Sequence, residues 1–297
     1  MRLARPVNGK VMKSCWFRPQ SDHGARDDAW IMGVLNCTPD SFSDGGSFFN
    51  VEQAVQHGLR MFEQGAAIID VGGESTRPGS ETVSLQEELA RVIPVIKRLT
   101  EQGCIVSADT MKAEVMRQAI EAGASIINDV SALTHDADSL AVIADSNIDI
   151  CLMHMQGTPK NMQDQPQYHD VIDDVTAFFS QRIEACLQAG IQSSAIILDP
   201  GIGFGKRLED NIALIQGIHH FKKQFAMPLL LGVSRKSFLG QLTDSPINDR
   251  EIETAVAGAI GISNGADIVR VHDVSLQRRA VQVASALSPV SSFSLAS

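Results

Sequence analysis

Eight apolar runs of strand length restrict the fold of this sequence more than any other feature. They are "IMGVLN" from Ile31, "AIIDVGG" from Ala67, "CIVSADT" from Cys104, "SIINDVS" from Ser125, "IDICLMHM" from Ile148, "AIILDPG" from Ala195, "PLLLGVS" from Pro228 and "DIVRVHD" from Asp267. Between them lie amphipathic stretches such as "VEQAVQHGLRMFEQGA" and "LQEELARVIPVIKRLTEQG", whose apolar residues recur every three or four positions. The sequence therefore predicts eight strands that alternate with helices.

Continuous apolar strands between helices are typical of a parallel sheet whose outer face is covered by those helices. Eight such units in 297 residues fit a closed α/β fold, the (β/α)8 TIM barrel, better than an open sheet. Two open α/β domains remain the alternative. The predicted organisation is an irregular N-terminal extension over residues 1–30, the barrel over 31–285 and a flexible tail over 286–297.

The formal net charge of −10 argues against a nucleic-acid or membrane-binding surface, because the overall field of the protein repels both polyanions. An anionic small substrate therefore needs a local cluster of cationic side chains. No apolar segment approaches the roughly 18 to 20 residues of a membrane span. The five cysteines form no C-x-x-C pair, which predicts reduced, buried thiols in a cytoplasmic protein. They are Cys15, Cys37, Cys104, Cys151 and Cys186.

Polar residues end every predicted strand, at the edge where TIM barrels place their active sites. They are Asn36, Asp70, Asp109, Asn128, His154, Asp199, Ser234 with Lys236, and Arg270 with His272. Any one of them could simply cap the next helix or satisfy a turn. Eight at one barrel mouth predict a binding site instead. Asp70 is the exception, because it precedes its loop by a strand step and is expected to act as a structural support.

The polar residues divide by charge. Asp109, Asn128 and Asp199 offer acceptors that suit a flat heterocycle with N–H groups on one edge, and Lys236 can donate to such a ring. Arg270, His272 and Asn36 come from the last and first strands, close to the usual phosphate site of barrels. These residues supply the cationic cluster that an anionic substrate requires.

Three loops carry further signals. "LDPGIGFGK" has alternate glycines and Lys206, but it matches neither the Walker spacing nor the dinucleotide fingerprint, so it is interpreted as a buried strand delivering Asp199 to a turn. In "CTPDSFSDGGSF", Asp40 and Asp44 are able to approach a metal. In "ESTRPGS", Thr76 and Arg77 are candidates for binding an anion.

Taken together, "NCTPDSFSDGG", "DVGGESTRPG", "ADT", "IND", "LMHMQGTP", "DPGIGFGK", "SRKSFLG" and "RVHDV" resemble the dihydropteroate synthase family of folate biosynthesis. The resemblance runs from about Ile31 to Val274 and includes every strand end. It implies a TIM barrel, usually a homodimer, that uses Mg²⁺. It also implies an enzyme that joins a dihydropterin diphosphate to p-aminobenzoate and releases pyrophosphate. Sulfonamides, which mimic p-aminobenzoate, are expected to compete for the same site.

The resemblance assigns roles by position. Asp109, Asn128, Met153, Asp199, Gly232 and Lys236 resemble the pterin-binding residues, and Thr76, Arg270 and His272 the diphosphate pocket. Phe42, Arg77, Pro78, Phe204 and Ser237 resemble the p-aminobenzoate side, and Asn36 the residue that reaches the metal. The implied mechanism is departure of pyrophosphate followed by amine attack. The expected catalytic set is Asp109, Asp199, Lys236, Arg270 and His272.

Two other functions remain open at this point. One is a pterin-dependent methyltransferase-like barrel that serves a corrinoid partner, and the other is a catalytically silent pterin-binding homologue. Neither calls for the diphosphate-side residues Arg270 and His272 beside "NCTPDSFSDGG". The synthase is therefore the preferred interpretation.

Overall fold

The structure of the protein is a computed structural model that describes residues 29–38, 51–76, 79–80 and 82–287. Eight strands coincide with the eight predicted apolar runs, with β1 starting one residue before its run, so the predicted alternation is confirmed. The strands are β1 (Trp30–Asn36), β2 (Ile68–Gly72), β3 (Val106–Asp109), β4 (Ile126–Asp129), β5 (Asp149–Met153), β6 (Ile196–Asp199), β7 (Leu230–Leu231) and β8 (Ile268–Val271).

The strands alternate with helices, and two units carry an additional helix. The helices are α1 (Val51–Gln64), α2 (Leu85–Glu101), α3 (Ala113–Glu121), α4 (Ser139–Ala144), α5 (Val171–Gln188), α6 (Leu208–Gln216), α7 (Ile218–Phe225), α8 (Ser237–Thr243), α9 (Glu251–Ser263) and α10 (Val274–Leu287). Among the described residues, no helix combines the length and apolar character needed to cross a bilayer.

Local sequence signals fix where some helices begin. Ser84 precedes α2, and its hydroxyl accepts a hydrogen bond from the backbone N–H of Glu87, 3.3 Å away. The Glu87 carboxylate in turn accepts from the backbone N–H of Ser84 at 3.2 Å. This reciprocal capping box satisfies two donors that the first helical turn leaves unpaired.

All strand pairs are parallel, and the sheet closes on itself. The strand order is β6-β5-β4-β3-β2-β1-β8-β7. A parallel bridge between Leu198 of β6 and Leu229, next to β7, joins the two ends of this order. The Leu198 N–H donates to the carbonyl of Pro228 at 2.9 Å. The predicted TIM barrel is therefore confirmed, and the two-domain alternative is not.

Alternation along each strand separates two apolar clusters. A small cluster fills the barrel interior and contains Met32, Ile68, Ile126, Cys151, Ile197, Leu230 and Ile268. The larger cluster packs the outer face of the sheet against the helices, as Val269 and Val271 of β8 illustrate. Arg270 lies between these two outward-facing residues, so the same alternation turns it inward. Nearer the strand ends the inward side chains are mostly polar, and they form the floor of the barrel mouth.

The described barrel elements run from Trp30, where β1 begins, to Leu287, where α10 ends. The predicted extension over residues 1–30 lies outside the described residues except for its last two positions. The predicted tail over 286–297 lies outside them from position 288 onward. The proposed domain boundaries thus stay a prediction.

Candidate active site

The strand register brings the predicted ring-binding residues together on the inside of the barrel mouth. Asp109 of β3 lies opposite Asn128 of β4, and Met153 of β5 lies opposite Asp199 of β6. Gly232 follows β7, and a β-carbon placed there would lie 3.9 Å from the Asp199 carboxylate. Four neighbouring strands therefore present their last inward positions to one space.

Arg270 of β8 links β2 and β3 through the carboxylates of Asp70 and Asp109. Its Nε donates to Asp70 Oδ2 at 2.6 Å, and its Nη2 donates to Asp109 Oδ2 at 2.7 Å. The same oxygen of Asp70 accepts from Asn128 Nδ2 at 3.0 Å. Asp70 is fully buried, and these contacts agree with its expected role as a support. Because an ionised carboxylate only accepts, the contact also fixes the Asn128 amide, whose oxygen is left for another donor.

Burial disfavours the ionised form of two carboxyl groups at the floor of the mouth. Burial raises the pKa of Asp109 to about 7, against the opposing effect of Arg270. Burial also raises the pKa of Asp199, although the Gly201 N–H, 2.7 Å from Asp199 Oδ1, and the Lys236 ammonium oppose that shift. A site in which buried carboxylates are costly to ionise favours a ligand that brings N–H donors or positive charge.

Lys236 and Phe204 meet at the side of the mouth. The Lys236 ammonium nitrogen lies 3.9 Å from the centre of the Phe204 ring, which is a cation–π contact. Gly203 makes this approach possible, because it has a φ of +80° and an added β-carbon would lie 2.9 Å from Lys236 Cδ. Ser237, predicted for the amine side, is the first residue of α8 directly after Lys236.

His272 is oriented by Ser234. Ser234 Oγ lies 2.9 Å from His272 Nδ1, and it also accepts from the His272 backbone N–H at 3.2 Å. When the hydroxyl donates to Nδ1, the ring proton resides on Nε2. This tautomer gives His272 a donor that suits the oxygen of an anionic group.

A partly buried ionic cluster that sequence reasoning missed supports the β2–α2 loop. Lys112 pairs with both Glu74 and Glu88, and Thr110 Oγ1 donates to Glu88 Oε1 at 2.6 Å. Glu88 is 1% exposed although it lies in the first turn of α2. The cluster ties the loop carrying Thr76 to the end of β3. No sequence signal distinguished Glu88 from an ordinary helix-start acid.

Some predicted site residues cannot be placed. Phe42, Arg77 and Pro78 lie outside the described residues, as do Asp40 and Asp44. Asn36 ends β1 and lies opposite Gly72 of β2, so it reaches the mouth. In the part of the chain that the structure describes, no group of three or more His, Cys, Asp or Glu side chains could hold a metal ion.

Comparison with known proteins gives a consistent result. Residues 32–272 match the model of a family described as pterin binding enzyme. A dihydropteroate synthase of Synechocystis sp. is 46% identical over 268 residues, which cover 90% of this chain and 92% of that relative.

Two solved structures show a similar sequence identity to this chain. A Yersinia pestis dihydropteroate synthase in complex with a sulfonamide drug superposes with a TM-score of 0.83 at 46% identity. The match covers 87% of this chain and 94% of that one. A Xanthomonas albilineans dihydropteroate synthase with 4-aminobenzoic acid gives a TM-score of 0.82 at 44% identity, covering 88% of this chain and 93% of the other.

Proposed function

This chain belongs to the dihydropteroate synthase family of pterin-binding enzymes, and from that premise we propose the reaction that it catalyses. It is a transferase that joins 6-hydroxymethyl-7,8-dihydropterin diphosphate to p-aminobenzoate and yields 7,8-dihydropteroate and pyrophosphate. One observation supports this most directly. The strand ends bring together Asp109, Asn128 and Asp199 at one mouth. There the positive charge of Lys236 opposes the rise in the pKa of Asp199 that burial causes.

In the proposed reaction, the bond between the pterin methylene carbon and the diphosphate oxygen breaks, and pyrophosphate leaves with the electron pair. The carbocation that forms is stabilised by the dihydropterin ring and by the nearby carboxylates of Asp109 and Asp199. The amine nitrogen of p-aminobenzoate then bonds to the methylene carbon and loses its proton to water. Arg270 and His272 stabilise the negative charge that develops on the leaving group.

Mg²⁺ is the proposed cofactor, and the donors of this chain fit it. Mg²⁺ usually keeps several waters and takes only one or two protein ligands beside substrate phosphates. A single amide oxygen from Asn36 at the mouth meets that requirement, without any all-protein cluster of acidic ligands. When bound, the ion would offset negative charge on the diphosphate.

A coupled assay tests the proposed function. Purified protein receives dihydropterin diphosphate, Mg²⁺ and p-aminobenzoate, and pyrophosphate and dihydropteroate are followed in parallel. The two products are expected in equal amounts, and chelation of the metal is expected to suppress both until Mg²⁺ is restored. Pterin binding without turnover would instead support the silent homologue.

Sulfonamides are expected to inhibit competitively with p-aminobenzoate, because they share its aromatic amine and an anionic group at the opposite end. Phe42, Arg77, Pro78, Phe204 and Ser237 form the proposed amine side. The apparent KM for p-aminobenzoate should rise linearly with sulfonamide while kcat stays constant. An arylsulfonamide without the 4-amino group is the matched control. Inhibition that excess p-aminobenzoate does not relieve contradicts this assignment.

We propose that the chain forms a homodimer through α9 and α10. Ile252, Val256 and Ile260 recur every fourth residue on one face of α9 and are 74%, 53% and 48% exposed. Val283 and Leu287 of α10, which packs against α9, are also exposed. Clustered exposed apolar side chains on neighbouring helices are typical of contact surfaces. Light scattering should report a dimer that Ile252→Glu converts to a monomer, and a monomeric wild-type protein contradicts the proposal.

We propose that the protein is located in the cytoplasm, because its described cysteines are free and buried. Cys37, Cys104, Cys151 and Cys186 are free and buried. Burial raises the pKa of the Cys37 thiol to about 12 and that of the Cys186 thiol to about 11. Thiols of this kind are unreactive packing groups, and a reducing compartment keeps them so.

A further inference from the structure

We propose that Lys206 is a positioning residue for the amine substrate. Its buried ammonium joins the loop over residues 200–207, which follows β6, to the end of β5, and it thereby holds Phe204 at the p-aminobenzoate side. The inference rests on the function proposed above. It assigns a role to the lysine of "DPGIGFGK", which neither ring binding nor diphosphate binding has used.

Lys206 points into the protein rather than toward a ligand, and it is 4% exposed. Its Nζ lies 3.0 Å from the carbonyl oxygen of Phe204 and 3.2 Å from that of His154. A third acceptor, His154 Nδ1, lies 3.0 Å away. An ammonium group is a donor only, and its N–H groups are matched in number by these acceptors. Two of the acceptors belong to His154, directly after β5, and one belongs to Phe204 in the loop after β6.

His154 is a fixed partner for this ammonium. Burial and the adjacent Lys206 lower the pKa of His154 to about 2, so its Nδ1 remains an acceptor. Its ring packs edge-on against Phe178 of α5, with the ring centres 4.8 Å apart. The hydrogen bonds of Lys206 are therefore anchored at the end of β5 and, through the ring contact of His154, on α5.

The backbone of the loop lies directly against the β5 exit. Gly201 has a φ of +69°, and an added β-carbon would lie 1.9 Å from the carbonyl oxygen of His154. The Tyr168 hydroxyl donates to the carbonyl of Gly205 at 2.6 Å. Side-chain donors thus reach two consecutive carbonyl groups of the loop, those of Phe204 and Gly205, and Lys206 supplies the charged donor.

The contact made by Lys206 is transmitted to the site through Phe204. The carbonyl of Phe204 accepts from Lys206, whereas its ring faces the Lys236 ammonium. Burial lowers the pKa of Lys206 to about 7; Asp199 and Asp210 oppose that shift, and Lys236 adds to it. The three acceptors around Nζ favour the ammonium form, because only that form supplies an N–H donor to each of them. Loss of the Lys206 ammonium would free the Phe204 carbonyl and displace the aromatic wall of the amine side.

Steady-state kinetics of Lys206→Met test this role, because methionine keeps most of the buried stem and removes the charged donor. The KM for p-aminobenzoate is expected to rise about tenfold, which corresponds to one charge-assisted hydrogen bond. The KM for dihydropterin diphosphate should change less than about twofold. Lys223→Met, on the exposed side of α7, is the matched control and should leave both values unchanged.

Tyr168→Phe provides a second test that does not remove a buried charge. It is expected to raise the same KM about threefold, and it decides the question if Lys206→Met does not fold. A purely structural defect lowers kcat and leaves both KM values unchanged, so that pattern, or an equal rise in both KM values, overturns the inference. A wild-type protein that makes no dihydropteroate refutes the proposed function and this inference together, whereas an active wild type isolates the Lys206 result.

Discussion

Replacing Lys236 by alanine is expected to lower kcat/KM by about a hundredfold or more, the usual effect of removing one preorganised electrostatic donor. The residue precedes α8 at the mouth, and its ammonium lies over the Phe204 ring. Burial raises the pKa of the Asp199 carboxyl, and the charge of Lys236 opposes that rise. The variant therefore loses the proposed hydrogen-bond donor to the pterin ring. It also loses the counter-charge of Asp199, the carboxylate proposed to stabilise the pterin carbocation.

The measurement is steady-state turnover of the folded variant, checked by thermal unfolding. Lys223→Ala is the control, because Lys223 is an exposed lysine on α7 away from the mouth. Turnover of Lys236→Ala close to that of the wild type, in a protein that unfolds at the wild-type temperature, would remove Lys236 from the proposed catalytic set.

Replacing Arg270 by methionine is expected to affect both stability and activity. The guanidinium pairs with Asp70, which is fully buried, and with Asp109. Removing one partner of a buried ionic group typically costs about 3–5 kcal/mol, since the remaining charges are left unpaired. Urea unfolding should show that the free energy of unfolding falls by this amount. Turnover should fall below detection, because the departing pyrophosphate loses the Arg270 guanidinium.

Two further variants separate the causes. Arg117→Met removes an exposed arginine from α3, away from α9 and α10, and should leave turnover unchanged and stability nearly so. Adding Asp70→Asn to Arg270→Met removes one of the unpaired charges, so part of the lost stability should return while turnover should not. If the double variant is less stable than Arg270→Met alone, repulsion between unpaired carboxylates is not the cause of the instability.

Much of the fold could be predicted because its signals are local. A run such as "AIILDPG" contains both the apolar residues of β6 and the turn that ends it, so neighbouring residues suffice to place the strand. The two-residue period of a strand then decides which side chains point inward. That period predicts that the last inward-facing side chains of β3, β4 and β6 are Asp109, Asn128 and Asp199.

The partners of those side chains could not be predicted in the same way. Arg270 was assigned to the diphosphate pocket, yet it is also the counter-charge of Asp70, 200 residues earlier in the chain. Glu88 looked like an ordinary acid at the start of α2, but it is buried against Thr110 and Lys112. Contacts between residues far apart in sequence depend on how the strands are registered around the barrel.

The sequence by itself determined the barrel, the mouth at which its strands end and the residue types that face that mouth. This was possible because the strand period and the turns depend on residues that are adjacent in the sequence. Only the tertiary structure decided which charges neutralise one another. It placed Arg270 between two carboxylates and turned Lys206 away from the mouth to His154, 52 residues earlier. The physical reason is that burial makes an unpaired charge costly, so closure of the barrel selects the pairs.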